Sequence, residues 1–189
     1  MSKNKIIDLF FQYKICEINY ENPFTLASGK KSPLYVDHRK IWSIPSLRKL
    51  VISEWKSCLE QHLSNFKTVT FAGIATAGIT PAYALAVEFD SEFIYIRSSA
   101  KDHGTKKMTE GILNPNHSII LVDDMITTGG SLLKSSTYLP KENKIIFATS
   151  FTRSTDKSVD NLFSEYGFPL HSYMTTEDIL NFTYTFEKK

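Results

Sequence analysis

At 189 residues the chain is long enough for one well-packed domain and short for two. Its 42% hydrophobic and 22% charged residues are the ordinary balance of a soluble globular protein. A net charge of +2, from 22 basic and 20 acidic side chains, excludes bulk binding to nucleic acid or to a membrane surface, so any anion must be handled by a local cluster. Two cysteines, Cys16 and Cys58, are too few for a disulfide framework. No stretch approaches the roughly 20 apolar residues that span a bilayer. The opening residues do not read as a signal peptide. The expectation is a cytoplasmic chain with no nucleic-acid or membrane partner.

In chain order, the first 40 residues hold a short helix and then a turn-rich stretch over 22–39. Residues 46–62 place Leu47, Leu50, Val51, Trp55, Cys58 and Leu59 on one helical face. Residues 69–72 read as a short buried strand, 73–78 as a small-residue turn and 81–88 as a helix. Residues 93–96 and 118–122 are further apolar strands. A helix starts near Gly130 or Ser131 and runs towards Leu139. Residues 144–151 form a fourth strand. Val159, Leu162, Phe163 and Tyr166 then mark one face of a helix ended by Gly167. Strands alternating with helices predict an α/β fold with a central, mainly parallel sheet flanked by helices on both faces. Two regions escape the alternation, 1–40 and 168–189, and are expected to form a small hood on a single 1–189 domain. The polar stretch 97–111 is too long for an idle loop in a compact domain, and reads either as a functional segment or as a solvated excursion.

The informative segment is Ser118-Ile-Ile-Leu-Val-Asp-Asp-Met-Ile-Thr-Thr-Gly-Gly-Ser131. An apolar strand ends in two adjacent carboxylates, Asp123 and Asp124, and small hydroxyl-bearing or glycine residues follow before a helix. Thr127, Thr128, Gly129, Gly130 and Ser131 can turn backbone N–H groups around an anion, with hydroxyl donors beside them. The acids would repel a phosphate, so they suit a different task, accepting hydrogen bonds from a vicinal diol. A phosphate cradle beside a diol acceptor fits a 5-phosphoribosyl group. A bare helix cap needs one Asp or Ser, not two acids followed by Thr-Thr-Gly-Gly-Ser. Neither a Walker A loop nor a Gly-x-Gly-x-x-Gly fingerprint is present here.

This segment resembles the PRPP-binding motif of the type I phosphoribosyltransferases. The resemblance implies that Asp123 and Asp124 hold the ribose hydroxyls, that Met125 to Ser131 (Met125, Ile126, Thr127, Thr128, Gly129, Gly130, Ser131) hold the 5′-phosphate, and that Mg²⁺ bridges diphosphate and ribose largely through waters, with no direct protein ligand to the metal.

Three further segments are similar to one branch of that family, the orotate phosphoribosyltransferases. Phe24-Thr-Leu-Ala-Ser-Gly-Lys-Lys-Ser-Pro-Leu-Tyr-Val-Asp-His-Arg39 resembles the branch's substrate loop, which implies that Tyr35 and Val36 line the orotate pocket. Phe71-Ala-Gly-Ile-Ala-Thr-Ala-Gly-Ile79, by itself either a tight turn or an anion loop, resembles its diphosphate loop. Tyr95-Ile-Arg-Ser-Ser-Ala-Lys-Asp-His-Gly-Thr-Lys-Lys-Met-Thr-Glu-Gly111 resembles its catalytic loop. Displacing diphosphate from C1 of the ribose builds negative charge on the leaving group. Arg97, Lys101 and His103 suit that charge, and His103 can also deliver a proton. Asp102 either orients His103 or faces the positive charge on the sugar. Gly104 would let the loop close as a lid.

The branch's loop acts in the partner subunit's site, which implies a homodimer with 97–111 reaching across. Arg153, after the fourth strand, is either an ordinary surface arginine or the bidentate clamp that a carboxylated pyrimidine requires, and Thr127 would touch the base from the cradle side. The resemblance runs from about Phe24 to Arg153. It departs at Ala27, Ala77 and Ser98, where some members carry lysine, which lowers the expected diphosphate affinity. It departs also at Val36, which replaces an aromatic and loosens base stacking. The function implied is transfer of the phosphoribosyl group of PRPP to orotate, giving orotidine 5′-monophosphate and diphosphate in pyrimidine synthesis. The alternatives are a phosphoribosyltransferase for another base and a PRPP-binding regulator of the same fold. Arg153 argues against the first, and Lys101 with His103 against the second. The remaining histidines, His38, His62, His117 and His171, show no metal-like spacing and read as surface or core residues.

Overall fold

The computed structural model describes residues 3–26, 29, 31–99 and 107–186. Its centre is a six-stranded sheet. The strands introduced along the chain are β1 (Cys16–Ile18), β2 (Phe24–Thr25), β3 (Lys31–Ser32), β4 (Leu34–Val36), β5 (Val69–Ile74), β6 (Glu92–Ile96), β7 (Thr109–Glu110), β8 (Ser118–Ile126), β9 (Ile145–Arg153) and β10 (Leu170–Thr175). The main sheet runs β10-β9-β8-β5-β6-β7. Its first five strands are mutually parallel, and only β7 is antiparallel to its neighbour. The mainly parallel α/β architecture expected from the alternation is therefore present.

The helices are α1 (Lys3–Gln12), α2 (Pro45–Leu59), α3 (Ile79–Phe89), α4 (Gly130–Ser136), α5 (Lys157–Glu165) and α6 (Thr176–Phe186). Strands buried on both sides feed two cores, because successive side chains point to opposite faces. Phe71, Ile120, Val122, Phe147 and Phe151 join Ile7, Leu47, Val51, Trp55 and Leu85 from α1, α2 and α3 in one cluster. Ala72, Ile74, Ile119, Leu121 and Ala148 meet Leu132, Leu133, Val159 and Phe163 from α4 and α5 in the other. Trp55 carries the largest fully buried side chain of the first cluster, and its Nε1–H is satisfied by Thr149 Oγ1 at 2.8 Å.

Sheet order decides where a ligand can sit. From β5 the chain steps outward to β6. It then crosses back over β5 to β8 and continues to β9 and β10 on the opposite side. The reversal lies between β5 and β8, so the turns after these two strands diverge and leave a crevice at their carboxyl ends. The same edge receives the segment that follows β6.

Two small antiparallel sheets, β1 with β4 and β2 with β3, form the hood together with a 3₁₀ turn at His38–Ser43. The C-terminal stretch expected in the hood divides. Leu170–Thr175 instead extends the main sheet as a parallel edge strand against β9, and only α6 returns to α1, where Phe182 stacks on Phe11 and Lys3 pairs with Asp178 at 2.9 Å. An edge strand is covered less than a central one, so β10 tolerates His171, Ser172 and Tyr173 and loses the apolar run that reveals β5 or β8. Other boundaries shift modestly: β8 continues through Asp123 and Asp124 to Ile126, β9 ends on Arg153, and α4 stops at Ser136.

Gly78, the residue before α3, seals the crevice floor. A Cβ there would lie 2.5 Å from the Val122 carbonyl oxygen and 2.7 Å from that of Ile74. Both obstacles are backbone atoms of the two strands that flank the crevice and cannot swing away. Gly78→Ala is expected to destabilise the fold by about 3 kcal/mol, read as a lowered denaturant midpoint; a midpoint equal to that of the unsubstituted chain would contradict the close packing at this turn.

Candidate active site

The end of β8 builds the site. The Asp124 N–H donates to Asp123 Oδ1 at 3.0 Å, and the Met125 N–H donates to Asp124 Oδ1 at 2.8 Å. Each acid is thus oriented by the next backbone amide. Burial and the neighbouring Asp124 charge both push the Asp123 carboxyl well above the usual carboxylate range. Beyond the acids, Thr127 is half-buried and Thr128, Gly130 and Ser131 are exposed around a cavity of about 50 Å³ that Asp123 also lines. Gly129 holds the turn at φ +77°, and a Cβ there would meet the Phe163 ring at 2.7 Å. The backbone conformation and the packing therefore both demand glycine.

The structure brings only part of the sequence-derived set together at this crevice. Met125, Thr127 and Thr128 face a second cavity of about 140 Å³ that Leu26, Ser32 and Leu34 of the hood close from above, with Ser154 and Thr176 beside it. Ile126 turns its side chain into the core, so it can serve only through its backbone. Tyr35 packs its ring against Phe24 at 5.4 Å, and Val36 lies against the core; both are near the hood's base rather than on the wall of this cavity. Arg153 pairs in register with Ile126, one residue from Thr127, and its Nη1 donates to Asp160 of α5. Arg97 closes the base of the 97–111 segment, with Nε on the Ser99 carbonyl at 3.1 Å and Nη1 on Glu110 at 3.3 Å. Lys101, Asp102 and His103 lie outside the described residues, as does Ala27.

One residue at the site was read from the sequence only as a surface or core histidine. His38 is 2% exposed, packed edge-on against Phe10 and Phe151, with Nε2 2.9 Å from Thr152 Oγ1 and Nδ1 4.0 Å from Asp124 Oδ2. Burial pushes its pKa down to about 4 against the opposing pull of the Asp124 and Asp37 charges. The ring is thus neutral at neutral pH, and its contact with Asp124 is not an ion pair there. Nothing in the local sequence, a charged Asp-His-Arg-Lys run, signals a buried ring.

Comparison with known proteins follows the same lines. A model of the phosphoribosyl transferase domain matches residues 44–166. The orotate phosphoribosyltransferase of Porphyromonas gingivalis is 37% identical over 131 residues, 69% of this chain and 61% of that protein. That of Lactiplantibacillus plantarum is 32% identical over 169 residues, 88% of this chain and 78% of that protein. Against the first of these the chain thus spans less than two thirds of the relative's length. Among solved structures, the orotate phosphoribosyltransferase from Aeropyrum pernix superposes with a TM-score of 0.79 at 24% identity, covering 93% of this chain and 96% of that one. The UMP synthase of Leishmania donovani gives 0.82 at 20% identity, covering 99% of this chain and 39% of that one. These two share the fold.

The raised Asp123 carboxyl gives a pH signature. An acid whose folded pKa is raised costs stability as pH climbs above its ordinary value near 3.8, because the unfolded chain ionises first. Asparagine does not titrate. Asp123→Asn should therefore raise the melting temperature of the ligand-free protein at neutral pH by about 2–4 °C, with the gain vanishing as pH falls towards 4. Melting curves that show no gain, or a gain largest in acid, would contradict the burial of this carboxyl.

Proposed function

The chain belongs to the phosphoribosyltransferase family, and from that premise and the chemistry of the crevice we propose that it is an orotate phosphoribosyltransferase, moving the 5-phosphoribosyl group of PRPP onto orotate to give orotidine 5′-monophosphate and diphosphate in cytoplasmic pyrimidine synthesis. The observation that carries the reading is the end of β8, where two carboxylates oriented by their own backbone stand beside an exposed glycine and hydroxyl turn. Carboxylate acceptors suit the ribose 2- and 3-hydroxyls. The amides and hydroxyls of Thr127 to Ser131 suit the terminal phosphate, which would be repelled if acids and cradle were interchanged.

With the sugar hydroxyls at one end and the phosphate at the other, C1 would face the turn after β5, read as the diphosphate loop. The pyrimidine nitrogen then attacks C1 as the C1–O bond to diphosphate breaks, and the nitrogen gives up its proton. The leaving oxygens gather charge, which Arg97, Lys101 and His103 offset, with His103 able to hand over a proton. Asp102 serves either His103 or the cationic sugar. Among the described residues no group of three His, Cys, Asp or Glu side chains is disposed to hold a metal. The oxygen donors Asp123 and Asp124 suit Mg²⁺ that keeps its waters and reaches them through those waters, and such an ion supplies positive charge to the diphosphate.

For the base, Arg153 stands at the end of β9 with one nitrogen on Asp160, which leaves further N–H donors for a carboxylate. Thr127 lines the cavity on the cradle side, and Tyr35 and Val36 are read as serving the base from the hood, where they pack against Phe24 and the core without lining that cavity. We read the 97–111 segment as the lid of a partner's site in a two-fold dimer. The direct test is incubation with PRPP, Mg²⁺ and a panel of free bases, following diphosphate release. Orotate alone should release it; release with a purine instead would replace this reading. Arg153→Ala should raise the KM for orotate about tenfold or more while sparing that for PRPP; an unchanged orotate KM would remove Arg153 from the base site.

A further inference from the structure

His38 sits in the hood, yet its ring reaches the end of β8. Its two nitrogens are unequal. Nε2 has a partner, Thr152 Oγ1 at 2.9 Å, whereas Nδ1 is fully buried with no hydrogen-bond partner and points towards the outer oxygen of Asp124, 4.0 Å away. A neutral imidazole carries one N–H, and two assignments are possible. With the proton on Nε2, the Nδ1 lone pair would confront a carboxylate oxygen, and the buried Thr152 hydroxyl would need an acceptor elsewhere. With the proton on Nδ1, the Thr152 hydroxyl donates to Nε2 and the Nδ1–H faces Asp124. Only the second assignment gives every polar atom a complementary neighbour.

We propose that His38 is a positioning residue for the sugar-binding carboxylate, with the Thr152 hydroxyl fixing its tautomer and its Nδ1–H aligning Asp124 Oδ2. Asp124 Oδ1 is already held by the Met125 N–H. A donor facing the second oxygen from 4.0 Å therefore electrostatically biases the carboxylate plane, which a single contact leaves free to rotate. The inference rests on the proposed function for the identity of the sugar, but its geometry does not. It makes the hood part of the ribose site: the turn that follows Tyr35 and Val36 also supplies the ring that aligns the acid. Burial supports the assignment, since a pKa of about 4 keeps the ring neutral and single-protonated through the physiological range. Asp37, the other charge near the ring, is occupied with the Arg39 backbone and side chain.

The test uses the full chain and two variants. His38→Phe keeps the ring packing against Phe10 and Phe151 but has no N–H. His38→Asn places an amide N–H near the position of Nδ1. Binding of ribose 5-phosphate and of PRPP would be measured by calorimetry, and the imidazole tautomer of the unsubstituted protein by ¹⁵N NMR. The expected result is a protonated Nδ1, about tenfold weaker sugar-phosphate binding by His38→Phe, binding by His38→Asn within about threefold of the unsubstituted chain, and an unchanged KM for orotate. A protonated Nε2 overturns the proposal even if neither variant folds. Equal binding by His38→Phe, or an equal loss in both variants, also overturns it. An unsubstituted chain that binds neither sugar phosphate overturns the proposed function instead.

Discussion

Two carboxyl groups stand on adjacent half-buried residues at the end of β8, where desolvation and the Asp124 charge make ionised Asp123 costly, and much of the crevice is arranged around that cost. Each acid takes a hydrogen bond from the following amide, which orients it without neutralising it. Parallel pairing with β5 stops at Val122, while pairing with β9 continues past the acids to Ile126, so the strand is held on the β9 side where the pair lies. The position at the sheet's reversal leaves a cavity beside Asp123, and under the proposed function a ligand's hydroxyl groups would add donors there to those the backbone supplies. A site of this kind is least favourable when empty, which is how binding sites that favour a ligand are commonly built.

The glycines around the acids follow from the same crowding. Gly78 lets the turn after β5 pass against the β8 backbone, and Gly129 lets the turn after β8 pass against Phe163. One closes the floor and the other shapes the hydroxyl and glycine turn. Side chains at either position would separate the two turns that the sheet order has brought face to face.

Much of this was legible in the sequence because the residues involved are close together along it. Central strands such as β5 and β8 show as unbroken apolar runs, α2 as a 3.6-residue stripe, and the acid pair with its hydroxyl and glycine turn as one continuous motif. The limits of legibility have equally physical causes. β10 is an edge strand, so its half-covered positions accept polar residues and blur the pattern. His38 is a charged-looking residue in a charged-looking run. Its burial depends on Phe10, Phe151 and Thr152, the last 114 residues away, and no local periodicity reports such a contact. Arg153 was visible as a cation after a strand, but its partner Asp160 belongs to the next helix and became a neighbour only through packing.

That last pairing bears on how a base would be chosen. A guanidinium left free at a strand end samples many rotamers, and ordering it would weaken any ligand that uses it. Asp160, itself 46% exposed, holds Arg153 at the strand end through one nitrogen only. The arginine is therefore pre-oriented with donors to spare, and under the proposed function a carboxylated pyrimidine would add a second anion to a cation already in place. A neutral purine could offer the guanidinium only uncharged acceptors, while the charged Asp160 competes for the same donors. Selectivity at this edge would then come from the charge the ligand brings, with Asp160 setting the geometry in which that charge is met.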